Sequence, residues 1–563
     1  MLTQETTYQV SKQDRRFVGA HLLVAISALS VGSLFGPLQA FEWSGLDLYG
    51  LLEPIGLGDY YKGLTIHGVL NALVWTTFFI TGFLTLVMIA GLKRPLRYPG
   101  LNRAGFYTMV VGLVMAAIPI LTGAASVLYT FYPPLQASWA FYLGLTLVVV
   151  GSWIEGYGFY LTMAEWRRDN PGTRSPFIVL AALITMVMWQ FATLGIAVEI
   201  LTMLLPAALA TISWVPSWLT RSGTDPELGR TLFWFTGHPL VYFWLLPAYL
   251  SWYGMLPKQA GGKLFSDTLA RLAFWLFLLL SIPVGFHHQF ADPGVPVGWK
   301  YIHSILTYGV AFPSMLTLFT VVASLEYAAR KRGGQGLLGW IRALPWGNPV
   351  VSAQLLAGIL FMFGGIGGIT NASYSVNLVI HNTAWIPGHF HLTVASAVTL
   401  SFFGISYWLI PYVTGKPLWK AKWASVVNWT WFVGMMIFSN AMHVLGLLGA
   451  PRRTKLGEAP YVPDEWSGHL FRMSLGGAIL LVGVALFVII AARTAFQKER
   501  FAEGEGVEFP IAISMRDPQL TPLWLDRFKP WLIATVVLIV VAYGPQLLEQ
   551  FGNASYNSPP ISP

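Results

Sequence analysis

The chain has 563 residues, of which 55% are hydrophobic and 10% charged, with a mean hydropathy of +0.59. Soluble domains carry roughly a quarter charged residues, so the composition predicts an all-α polytopic membrane protein. The net charge of +9 does not mark a nucleic-acid partner, because the basic residues fall in short loops between apolar runs that lipid would surround. Cysteine is absent, which excludes disulfides, iron–sulfur clusters, a cysteine-ligated copper centre and a CxxCH heme attachment in this chain.

In chain order, the polar opening stretch Met1–Arg16 lacks a signal-peptide core, so the first apolar run is expected to act as its own export signal. Runs of near 20 residues, enough to cross about 30 Å of hydrocarbon, recur about 13 times. They centre near residues 28, 78, 116, 152, 190, 243, 279, 314, 360, 400, 434, 481 and 539. The longest polar stretches are 450–469 and 494–527. No soluble domain or clear repeat interrupts the series, so residues 1–563 read as one membrane domain. All but eight of the 34 Lys and Arg fall in alternate loops, and four of those eight (Arg452, Arg453, Lys455, Arg472) share one loop. The positive-inside rule then predicts an inner N terminus and, with an odd span count, an outer C terminus.

Six of the eleven histidines are expected at one depth, the outer third of the bilayer. His67 lies just inside the second span, and His238 about two turns into the sixth. His287 and His288 lie toward the outer end of the seventh, and His389 and His391 at the start of the tenth. An intramembrane histidine costs free energy unless it pairs, lines water or binds a metal, and packing histidines would scatter in depth. His21, His303, His443 and His469 show no such company and read as ordinary packing residues. On a helix, His389 and His391 point about 200° apart, so one helix can offer an axial nitrogen to each of two hemes. His67 could complete one of them, leaving the other with an open face. His287 and His288, with His238 across from them, make a three-imidazole site suited to copper. Tyr242, four residues after His238, shares its helix face and could donate a proton and an electron.

The segments TGHPLVYFW (236–244), GFHHQF (285–290) and HNTAWIPGHFH (381–391), with His67 in LTIHGVLNALVW, resemble the signature segments of the heme–copper oxidase superfamily. The resemblance covers essentially the whole chain. It implies a respiratory subunit I that reduces dioxygen to water. In it His67 and His391 would ligate a b-type low-spin heme and His389 an a- or o-type high-spin heme. His238, His287 and His288 would hold the copper B ion, and Tyr242 would be covalently joined to His238. Leu240 stands where the common motif carries a glutamate, and in this the chain is similar to the B-type branch.

Without that carboxylate, protons need another path. Tyr249 and Tyr253 are spaced to fall within about 20° of Tyr242 around the helix. Ser314 and Thr317 could add hydroxyls, which both donate and accept. Arg452 and Arg453 suit heme propionates, with His381 and Asn377 nearby. The resemblance implies a prokaryotic cytoplasmic membrane, a subunit II carrying the two-copper site, and cytochrome c as donor. Two rivals are weighed against this reading. Nitric oxide reductase of the same superfamily would want glutamates near the metal, with Glu155 and Glu199 as the intramembrane candidates, and would lack the tyrosine. A proton-coupled transporter would show repeats and broken midplane helices.

Overall fold

The computed structural model describes residues 8–561; residues 1–7, the start of the polar opening stretch, and 562–563 lie outside the described residues. Among the described residues there are helices and isolated bridges but no strands. Eleven helices among the described residues are long and apolar enough to cross a membrane. They are α1 (Lys12–Trp43), α2 (Tyr60–Leu92), α3 (Pro99–Leu121), α4 (Trp139–Asp169), α5 (Phe177–Leu209), α8 (Val297–Lys331), α9 (Pro349–Ala372), α10 (Trp385–Thr414), α11 (Ala421–Leu447), α12 (Ser467–Phe496) and α13 (Phe528–Asn553).

Two more helices stand where the remaining expected spans fall: α6 (Pro226–Gly254) and α7 (Asp267–Ser281). Both fall short of those eleven for physical reasons. α6 has 29 residues, but His238, three tyrosines and two internal prolines lower its hydropathy, and it is buried along most of its length. α7 has only 15 residues. Pro283 cannot donate a backbone hydrogen bond, and the chain re-forms as a separate 3-10 turn, Gly285–Gln289. This corrects the expectation that His287 and His288 sit within the outer end of the seventh helix: they sit on that turn.

Local chemistry sets the helix starts. The side chains of Ser11, Asp59, Asp225, Ser266 and Asn348 accept hydrogen bonds from first-turn amides of α1, α2, α6, α7 and α9, as N-caps should. The bundle has inner and outer helices. The most apolar stretches of α2, α5 and α10 are 89%, 83% and 83% buried, whereas those of α8 and α13 are 22% buried. A helix that is apolar on all sides belongs in the interior or in lipid, and this chain uses both places.

The start of α7 is locked electrostatically. Arg271 is fully buried, and its guanidinium donates to Asp267 at 2.6 Å, to Asp526 at 2.9 Å and to the Ser175 carbonyl at 2.6 Å. This ties α7 to the start of α5 and to the segment entering α13. Removing one partner of a buried ion network costs about 3–5 kcal/mol, because the other charges stay buried. Arg271→Met is therefore expected to lower the thermal unfolding midpoint of the solubilised protein clearly. An unchanged midpoint would refute the locking role.

Candidate functional site

One continuous cavity of about 1060 Å³ reaches all six histidines singled out above, together with Tyr242, Tyr249, Ser314, Thr317, Arg452 and Arg453. The histidines resolve into a pair, a trio and a single residue.

The pair is His67 of α2 and His391 of α10, whose rings lie 6.4 Å apart, centroid to centroid, and within 10° of parallel. The His67 Nδ1–H donates to the Gly32 carbonyl at 3.0 Å, and the His391 Nδ1–H to the Pro387 carbonyl at 2.6 Å. Each ring thereby keeps Nε2 free, the second-partner arrangement that fixes a metal-ligating tautomer. Allowing about 1.1 Å from centroid to nitrogen on each side leaves about 4 Å, twice a metal–imidazole distance of about 2.0–2.1 Å. Both helices become π-helical two residues beyond their histidine, at Val69–Trp75 and Thr393–Val398. Such bulges re-aim side chains and recur at functional sites.

The trio is His238, His287 and His288, whose ligand atoms all lie within 4.8 Å of one another. His238 Nδ1 and His288 Nε2 are 3.1 Å apart, the separation of two nitrogens bound about 2.0 Å from one metal at roughly 100°. His288 stacks on Trp234 with centroids 3.8 Å apart. His287 Nδ1 is 3.0 Å from Thr307 Oγ1, which itself donates to the His303 carbonyl at 2.5 Å. The hydroxyl must therefore accept from His287, leaving Nε2 of that ring for the trio. His303 is a buttress: it accepts from the Phe286 amide at 3.2 Å and donates to the Ala542 carbonyl at 3.1 Å. Neither Thr307 nor His303 carries a sequence signal, since both bond through space to a turn that exists only in the fold.

His389 faces α9, where a Cβ added to Gly367 would fall 2.8 Å from its Nδ1. Tyr242 stands beside His238, ring centroids 5.3 Å apart, and His238 Nε2 has no hydrogen-bond partner. Further along α6, the Tyr253 hydroxyl donates to Thr317 Oγ1 at 2.9 Å. Tyr249 and Ser314 both line the cavity.

At the other end, Arg452 Nε and Arg453 Nη2 are buried without partners. Burial, with the charge of Arg453 beside it, pulls Arg452 down to about 10. Two cations on a cavity wall with no anion to face match a site for carboxylates. Asn377 lies on a short helix, Tyr374–Ile380. It donates to the His287 carbonyl at 3.3 Å, and its Oδ1 is 3.2 Å from His381 Nδ1. His381 does not line the cavity. Glu155 and Glu199 do not line it either; Glu155 pairs with His21 at 3.0 Å.

The sequence profile of the family described as cytochrome c and quinol oxidase polypeptide I matches residues 16–495. The chain belongs to this family. It is 46% identical over 539 residues to cytochrome c oxidase subunit 1 of Thermus thermophilus, covering 94% of each chain. It is 26% identical over 488 residues to cytochrome c oxidase polypeptide 1 of Halobacterium salinarum, covering 81% of this chain and 76% of that one. Among solved structures, a heme–copper terminal oxidase dimer matches with a TM-score of 0.91 at 39% identity, over 98% of this chain and 96% of that one. The oxidase subunit is thus the catalytic subunit I of a heme–copper terminal oxidase. It is an integral membrane oxidoreductase of the respiratory chain, with hemes and a copper ion as cofactors, dioxygen as substrate and other oxidase subunits as partners.

The close approach at Gly367 yields a test. Gly367→Val would push the His389 ring aside, so the variant is expected to lose carbon monoxide binding while the spectrum of the other heme persists. Normal carbon monoxide binding would show that His389 is not held from this side.

Proposed function

We propose that this subunit reduces dioxygen at the face of the cavity where the trio meets His389. His67 and His391 hold the low-spin heme, His389 the high-spin heme, and His238, His287 and His288 copper B. The observation that carries the reading is the division of six cavity-lining histidines into a facing pair, a trio of metal-ligand spacing and one residue on a separate wall. When bound, the hemes and copper supply electrons and the place where dioxygen is held; the residues around them orient ligands and move protons. The low-spin heme is assigned b-type and the high-spin heme a- or o-type, as in the B-type oxidases.

Tyr242, Tyr249 and Tyr253, with Ser314 and Thr317, form the proton path along α6 and α8. Arg452 and Arg453 hold the propionates, and His381 and Asn377 extend that network. The whole chain, 1–563, acts as one membrane domain in a prokaryotic cytoplasmic membrane, with its N terminus inside and its C terminus outside. Because the chain has no cysteine, a subunit II carries the two-copper site that receives electrons, with cytochrome c as donor. A nitric oxide reductase reading is not favoured, since neither intramembrane glutamate reaches the trio's cavity.

Two sets of variants test the ligands. Replacing His67 or His391 is expected to remove the low-spin heme signal and spare the carbon-monoxide-binding heme. His287→Ala or His288→Ala is expected to abolish copper and turnover yet leave both hemes; a variant with full turnover would sink the copper assignment.

Tyr242 is the sharper test. Cleaving dioxygen in one step takes four electrons, and a phenol beside His238 can give one together with a proton. The free His238 Nε2 beside that ring also supports a covalent His238–Tyr242 bond. Its formation breaks one N–H and one C–H bond, with dioxygen accepting the two electrons. Tyr242→Phe keeps size and burial, so both hemes are expected to survive while oxygen reduction falls by orders of magnitude. Mass spectrometry of the unmutated protein is expected to find the two peptides joined, lighter by two hydrogens. Near-normal turnover of the variant would refute the donor role, and separate peptides the bond.

A further inference from the structure

The 3-10 turn that carries His287 and His288 is held by the last helix of the chain, α13. In an unbroken helix the Gly285 amide would donate to the Ser281 carbonyl, and the Phe286 amide to the Ile282 carbonyl. After the break at Pro283 both amides find other partners. The Gly285 amide donates to the Tyr543 hydroxyl at 2.8 Å, and that hydroxyl donates in turn to the Ile282 carbonyl at 3.2 Å. The Phe286 amide donates to His303 Nδ1 at 3.2 Å, and His303 Nε2–H donates to the Ala542 carbonyl at 3.1 Å. A buried amide has to be paired somewhere. Two neighbouring residues of α13, one directly and one through His303, account for both amides that the break releases.

The fit around Tyr543 is tight. α13 is mostly exposed along its apolar length, yet Tyr543 itself is 1% exposed. Its ring packs against Phe286 and His303, each with centroids 5.0 Å apart, and against Phe235 of α6 at 4.8 Å. A Cβ on Gly285 would collide with the Tyr543 hydroxyl on one side and the Trp234 carbonyl of α6 on the other. Trp234 is also the residue whose ring stacks on His288. The turn is therefore gripped between the helix that carries His238 and a single hydroxyl of α13. That hydroxyl uses both its donor and an acceptor site there, one on each side of Pro283.

We infer that Tyr543 is a positioning residue for the histidine trio: its hydroxyl fixes the turn, and with it the places of the His287 and His288 rings. A short 3-10 turn has poor hydrogen-bond geometry of its own, so its place depends on what it is bonded to. The two backbone atoms that Tyr543 holds, on Ile282 and Gly285, lie just before the two ligands in the chain. A ligand set works only when it is held to within about 0.5 Å, and a turn freed at Gly285 would let both rings move together relative to His238. The inference rests on the trio being the copper site.

Infrared spectroscopy of the reduced holoenzyme with carbon monoxide tests it. Carbon monoxide flashed off a heme in the cold is caught by a copper ion beside it, and its stretching band there reports that copper's ligand set. Tyr543→Phe keeps the ring and removes only the hydroxyl. It is expected to retain its copper and both heme spectra while the copper-bound band shifts or splits and turnover falls several-fold. Ile539, one turn earlier on α13, packs against the core without touching the turn's hydrogen bonds. Ile539→Ala is expected to lower the unfolding midpoint and leave the band in place. An unmoved band in Tyr543→Phe would overturn the positioning role. So would an equal shift in Ile539→Ala, which would assign the effect to the docking of α13 as a whole. Should Tyr543→Phe fail to assemble, 3-fluorotyrosine incorporated at position 543 changes the hydroxyl's hydrogen bonding alone. It is expected to shift the same band, and an unmoved band would again overturn the role. Absence of any copper-bound band from the unmutated enzyme would instead overturn the trio assignment, which separates the two failures.

Discussion

A buried imidazole has two nitrogens to satisfy, and the fate of each sorts the histidines of this chain. His303 has both engaged by protein, one by the Phe286 amide and one by the Ala542 carbonyl. His21 has both engaged as well, by the Phe17 carbonyl and Glu155. His67, His391 and His287 each give Nδ1 to a protein oxygen and keep Nε2 for the cavity. An unpartnered polar atom in the interior costs about 1–3 kcal/mol, and several meeting in one cavity would be a heavy burden on a fold of ordinary stability. Metal coordination would offset that cost, so the proposed ligands and the packing histidines are separated by their hydrogen bonds as much as by their positions.

Directing those free nitrogens requires departures from regular helix. A straight α-helix repeats its side-chain directions every 3.6 residues, which cannot bring ligands from distant helices to one distance by itself. The chain instead bulges after His67 and after His391, and it breaks α7 so that two adjacent histidines can both turn inward from one 3-10 turn. Small residues let the rings approach: a Cβ on Gly36 would lie 2.7 Å from His67 Cε1, as one on Gly367 would crowd His389. Stability at the site therefore comes from the rest of the bundle, including the buried Arg271 network at the far end of α7.

This division explains what could be read in advance. Apolar run lengths located every long helix, because lipid demands about 20 residues of any crossing segment. The His238–Tyr242 spacing on α6 and the His389–His391 spacing on α10 could be read as faces, because helical geometry is local. The break at Pro283 is also local, yet its consequence was not legible: the seventh apolar run looks continuous in hydropathy, and only packing against Thr307 and His303 shows that the turn is a separate element. The Asn377 contact to the His287 carbonyl crosses 90 positions, and no spacing rule reaches that far.

Two polar routes leave the trio in opposite directions. Tyr242 stands beside His238, and the hydroxyls that follow it run along α6 and α8 as far as the Tyr253–Thr317 contact. Asn377 holds the His287 carbonyl and leads through His381 toward the loop where Arg452 donates to Asn382 at 2.9 Å. Burial and the charge of Arg452 hold His381 down to about 4, so it is neutral near pH 7 and its Nδ1–H can donate to Asn377. One route starts from a side chain of the trio and the other from its backbone. The Asn377 route is joined to the trio by a hydrogen bond, whereas Tyr242 meets it by ring contact and, like Tyr249, lines the shared cavity. In the proposed reaction, proton movement on either side would follow the electron count at the centre, which is the physical requirement for coupling oxygen reduction to proton transfer.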